Sequence, residues 1–165
     1  MGLFGRGVPG SVRSRLGRGE RVLAHAPVST GADTVLAATT RALHLPGGRT
    51  VPWEDIDQAR WSRERFAFVE EGHGERTVAL REGVDYRSLA EAVAERVTAT
   101  ILVNRFVPFP GPGSTTGFRL VARRSPGGDQ VSWRIRVGEG VDEKDPRLPD
   151  AVSRALDLLH EQMGV

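Results

Sequence analysis

At 165 residues the chain has the length of one domain, or of one domain with a small extension. It contains no cysteine, which excludes disulfides, thiolate metal sites and cysteine nucleophiles together. Basic residues outnumber acidic ones only 23 to 21, and Lys144 is the sole lysine, so the high isoelectric point reflects late-titrating arginine and not a large positive charge.

The start of the chain, residues 1–8, is rich in glycine and reads as loose. Residues 9–16 suit one or two helical turns, with Pro9 or Ser11 at the start and Val12 and Leu16 four apart on one side. Residues 1–19 carry Arg6, Arg13, Arg15 and Arg18 with no acid, a basic tail that with Leu3, Phe4 and Val8 could touch an acidic membrane surface. Without a sustained amphipathic helix it reads instead as a soluble tail. No stretch has the apolar length of a signal peptide or a membrane span, and the expected location is the cytoplasm.

Short strands follow in quick succession, at 21–26, 34–39, 41–45, 50–53, 56–62, 67–70 and 76–80. Turn signals separate them: residues 27–33, Pro46-Gly47-Gly48, and the carboxylates Glu54 and Asp55. Asp85 is a good N-cap, and Leu89, Val93, Val97 and Ile101 recur every four residues, which predicts an amphipathic helix running to Leu102 or Asn104. Pro108 and Pro110 forbid much more. Residues 108–116, rich in proline and glycine, read as an internal linker.

Beyond it, strands at 118–123 and 131–137 are joined by a turn at 125–129, and Asp145-Pro146 opens a last helix to about Gln162. Val152, Ala155, Leu156, Leu159 and Met163 make its apolar stripe. The expected fold class is α+β: a small barrel or sandwich of about seven strands capped by a helix, with a C-terminal ββα extension. The expected divisions are a tail (1–19), the strand-rich domain (20–104), and linker plus extension (105–165). An extension of that size should pack on the first unit or on a second copy of the chain.

Two short motifs narrow the fold. TTRAL at 39–43 followed by VPWEDI at 51–56 resembles the bacterial pleckstrin-homology-like families, where a T-x-R-x-L strand is followed by a turn and an I/V-P-W/Y-x-x-I strand. The likeness spans 20–104, and the chain as a whole is similar to actinobacterial proteins of this type. It implies a pleckstrin-homology-like fold that binds peptides, proteins or lipid headgroups and that often assembles as oligomers. One fold hosts many functions, however. The loop 27–33 carries no basic residue and the helix no tryptophan, so the phosphoinositide site of the eukaryotic branch is not carried over.

No residue pattern points to catalysis. His25, His44, His73 and His160 lack metal-ligand spacing, and there is no G-x-S-x-G elbow. The glycine-rich run 111–117 lacks the lysine of a phosphate loop. The expectation is a protein that is not an enzyme and needs no cofactor or metal. Two surface candidates remain. Trp53, Glu54 and Asp55, with Asp57 close by and Trp61, Phe66 and Phe68 around them, form a candidate interaction turn, unless the tryptophans are core. Arg119, Arg123, Arg134 and Arg136 share the polar face of the second hairpin by the period-two rule, a candidate contact for an anion or an acidic partner, unless acids such as Glu139, Asp142 and Glu143 neutralise it.

These features favour a non-catalytic binding or scaffold domain acting through an unknown protein partner or through self-association. One alternative is a nucleic-acid or anionic-ligand binder using the arginine face. Another is an enzyme whose site is assembled from residues distant in sequence.

Overall fold

The computed structural model describes residues 7–29 and 34–164. Leu3, Phe4 and Arg6 of the basic tail, and the tip of the 27–33 turn, lie outside the described residues. Among the described residues the protein is α+β, with ten strands in three antiparallel sheets and three α-helices, and no sheet closes into a barrel. The chain divides into two compact units after Thr100, with Ser125–Asp129 grouped with the first.

In the first unit a single helical turn, α1 (Gly10–Arg13), precedes seven strands. β1 (Val22–Pro27), β2 (Val35–Thr39), β3 (Ala42–His44) and β4 (Thr50–Pro52) form a four-stranded meander. A 3-10 turn (Trp53–Asp55) leads into a second meander of β5 (Ile56–Trp61), β6 (Arg65–Glu70) and β7 (Gly74–Ala79). An isolated antiparallel bridge between Val28 and Leu80 ties the end of β1 to the end of β7.

The strands form where the sequence alternates. In β6, Phe66, Phe68 and Glu70 point inward while Arg65, Ala67 and Val69 do not. The core gathers Leu36, Leu43, Ile56, Phe66 and Phe68 from the two sheets and Trp53 from the 3-10 turn against Leu89, Val93 and Val97 of helix α2 (Arg87–Ala99). β2 is buried on both faces. Leu36 and Ala38 join the core, and Ala37 and Thr39 face the other way, where Ala37 pairs in register with His44.

Helix α2 ends at Ala99 and not at Leu102 or Asn104. Thr100 turns its hydroxyl back to the Val97 carbonyl at 2.8 Å, and Ile101 opens a strand. The run of Thr98, Thr100, Ile101 and Val103 is β-branched, which favours the pleated form.

The second unit therefore has one more strand than expected. The extension is βββα and not ββα. β8 (Ile101–Pro108), β9 (Gly117–Arg124) and β10 (Val131–Val137) form a sheet in the order β10-β9-β8, followed by α3 (Leu148–Met163). The 109–116 stretch is the connection between β8 and β9 inside this sheet. Phe118 and Leu120 of central β9 pack with Phe109, Leu148 and Leu159 to give the unit its own core. Gly117 is required where it stands, because a Cβ there would lie 2.1 Å from the Val107 carbonyl oxygen and 2.8 Å from the Phe106 ring. α3 stops at Gly164, whose φ of 68° is left-handed and whose N–H donates to the His160 carbonyl at 3.0 Å.

Candidate functional site

The first unit carries an open groove of about 780 Å3, built where the β5–β6 turn meets the connection from β7 to α2. Its floor is Trp61, Leu80, Val84 and Tyr86, half-buried side chains at the margin of the core, with Ala90 from the first turn of α2. Trp61 pairs in register with Phe66 and stacks on it, ring centroids 4.2 Å apart. Tyr86 lies 6.1 Å from Trp61 at an interplanar angle of 32°.

Tyr86 is fixed by its hydroxyl. It donates to the Pro27 carbonyl at 2.6 Å and accepts the Arg81 N–H at 2.9 Å, so one side chain ties β1, the β7–α2 connection and the helix start together. Ser62 closes the β5–β6 turn through its hydroxyl, which accepts the Arg65 N–H at 3.0 Å. The Leu80 N–H donates to the Glu64 carbonyl at 2.9 Å, joining the groove's two walls. The floor is thus held by the stack of Trp61 on Phe66 and by the hydrogen bonds of Tyr86, Ser62 and Leu80.

The rim is charged and of both signs. Arg63, Glu64, Arg81 and Glu82 are exposed and make no ion pair among the described residues. Arg87, also on the rim, is held by Asp85 at 2.9 Å. The Arg87 guanidinium and N–H bonded to Asp85 depress that exposed carboxyl to about 2.

The residues singled out from the sequence fall elsewhere. Trp53 is fully buried and its Nε1–H donates to the Thr39 carbonyl at 2.8 Å, so it is a core residue. Glu54 and Asp55 are half-buried in the 3-10 turn, where the Asp55 carbonyl accepts the Glu71 N–H at 2.8 Å, and both residues have further partners. The register of β9 and β10 brings the arginines to one face: Arg136 opposes Arg119, Arg134 opposes Val121, and Ser132 opposes Arg123. They do not make a uniform cationic surface. Arg123 is only 2 % exposed, Arg134 and Arg136 are half-buried, and all three are engaged with partners. Arg119 is exposed, donates to Asn104 Oδ1 at 3.1 Å and stacks over Phe106 at 5.7 Å.

Two buried polar clusters had no sequence signal beyond their residue types. Glu20 meets His44 and Thr39 beside β2 and β3. Glu70, almost fully buried, takes Arg49 and Arg76 on its two oxygens with His73 at 3.5 Å. Both satisfy a buried carboxylate and lie outside the groove lining. Among the described residues no group of three metal-ligating side chains forms, and no helix is long and apolar enough to cross a membrane.

No protein-family model, no curated protein and no solved structure matches the chain.

Proposed function

We propose that this protein is a non-catalytic contact module of pleckstrin-homology-like architecture, working in the cytoplasm, whose groove between the β5–β6 turn and the start of α2 receives a segment of a partner protein. The order of elements supports the architecture: a four-stranded meander, a three-stranded meander and a helix across both core faces, with TTRAL on β2–β3 and VPWEDI from β4 into β5.

The observation that carries the function is the pairing of a pinned aromatic floor with a rim of both charges, on which Arg63, Glu64, Arg81 and Glu82 make no ion pair among the described residues. Aromatic side chains are already ordered, so an apolar anchor docks on them at small entropic cost. Glu64 and Glu82 repel polyanions such as nucleic acid or an acidic membrane, and Arg63 and Arg81 would be left unmatched by a neutral ligand. The chemistry that fits is a short peptide segment with an apolar anchor flanked by charges of both signs.

Affinity capture with the full chain and with an Arg63→Glu/Arg81→Glu variant tests this. The reading expects a protein retained by the wild type and lost from the variant. Equal recovery by both would overturn it.

A further inference from the structure

The second unit presents an unpaired strand edge, and the side chains along it are self-complementary. β8 is the outer strand of the order β10-β9-β8, eight residues long, and no described strand pairs with its far side. Leu102 is 38 % exposed and Phe106 is 39 % exposed. Asn104 and Arg105 between them are exposed as well. An open edge offers a row of backbone donors and acceptors to another strand, and natural proteins usually guard such edges with charge or proline. β8 has one arginine, a β-bulge confined to its start and a proline only as its last residue, so its middle is open.

We infer that β8 pairs antiparallel with β8 of a second copy about a two-fold axis at Asn104, joining the two three-stranded sheets into one of six strands. With residue 104 opposite itself, Leu102 of each copy faces Phe106 of the other, so both exposed apolar side chains are covered twice by symmetry. Asn104 lies on the face that carries Arg119 and keeps its amide NH2 for the partner's Asn104, since Arg119 uses only an oxygen lone pair. Arg105 falls opposite Val103 of the other copy. Moving the axis one residue to Arg105 sets two guanidiniums against each other and separates the apolar pairs. The β-bulge at Ile101–Val103 sharpens the strand's twist at one end and Pro108 removes a donor at the other, which confines pairing to residues 102–106.

The opposite edge of the same sheet shows the contrast. β10 carries Arg134 and Arg136 on one face. An axis at Arg134 sets it against its own copy, and an axis at Ile135 sets Arg134 against Arg136, so like charges oppose self-pairing there. Charge guards β10 and leaves β8 as the edge that can meet itself.

Light scattering of the full chain over a concentration series reads the association directly. The wild type should be dimeric, and Leu102→Lys and Phe106→Lys should each weaken the dimer at least about tenfold. Leu158→Lys, which removes the most exposed apolar side chain of α3, should leave the dimer intact. Because the chain has no cysteine, Asn104→Cys adds a single thiol that should cross-link the dimer under mild oxidation, while Ser132→Cys on β10 should not. Dimerisation untouched by both edge variants, or cross-linking no faster at 104 than at 132, would overturn the inference. So would a wild type that is monomeric throughout.

Discussion

Glu20 Oε1 lies 2.9 Å from Nε2 of His44, and the two side chains are 7 % and 1 % exposed. The Thr39 hydroxyl also donates to Oε1, and the Gly17 N–H donates to Oε2 at 2.8 Å. Glu20 thereby fastens the segment after α1 to β2 and β3, and it is the first acid in the chain. Burial raises its pKa, but the hydrogen bonds from His44, Thr39 and Gly17, helped by the charge of His44, outweigh burial and hold it below the ordinary value of 4.5.

A carboxylate whose pKa is depressed by folding contributes stability above its unfolded value, and the contribution is lost as pH falls through the folded one. Glu20→Gln should therefore lower stability near neutral pH by about 1–3 kcal/mol, and its deficit should narrow as pH drops below the unfolded carboxylate value. Urea unfolding of both proteins from pH 7 to pH 3 measures this. A deficit that stays constant with pH would show that the carboxylate charge is not what holds the segment.

Tyr86→Phe removes one hydroxyl and strands both the Arg81 N–H and the Pro27 carbonyl. It should cost about 1–2 kcal/mol in thermal or chemical unfolding and loosen the groove wall. Hydrogen exchange should rise at residues 80–86 while the core of β2 stays protected.

Gly117→Ala should be far more damaging than its single methyl suggests. The new Cβ meets backbone at Val107 as well as the Phe106 ring, and backbone cannot step aside as a flexible side chain can. A loss of about 3 kcal/mol or more, or failure to fold, is expected by circular dichroism.

Arg63→Glu/Arg81→Glu should leave unfolding within about 0.5 kcal/mol of the wild type, since both side chains are exposed and unpaired among the described residues. This keeps any loss of partner capture attributable to the rim.

The succession of strands along the first unit was readable because alternation and turn residues act locally: Pro46-Gly47-Gly48 separates β3 from β4. The shared face of Arg119, Arg123, Arg134 and Arg136 follows from the two-residue period for the same reason. β8 was hidden because Ile101 continues the four-residue rhythm of Leu89, Val93 and Val97, and no glycine or proline separates Ala99 from Ile101. The groove was hidden because its floor joins Trp61, Leu80 and Tyr86, which no local period links. The exposure of the arginines was hidden too, since periodicity assigns a face but not what covers it.

A partner protein seated in the Trp61–Tyr86 groove would be caught by photo-cross-linking inside cells that express the protein, from a benzophenone amino acid placed at exposed Ser62 on the groove wall and, as control, at exposed Gln58 on β5. The account predicts a discrete protein adduct from Ser62 that is absent from Gln58 and disappears when Arg63 and Arg81 are reversed to glutamate. No adduct from Ser62 above the control, or one indifferent to the charge reversal, would contradict it.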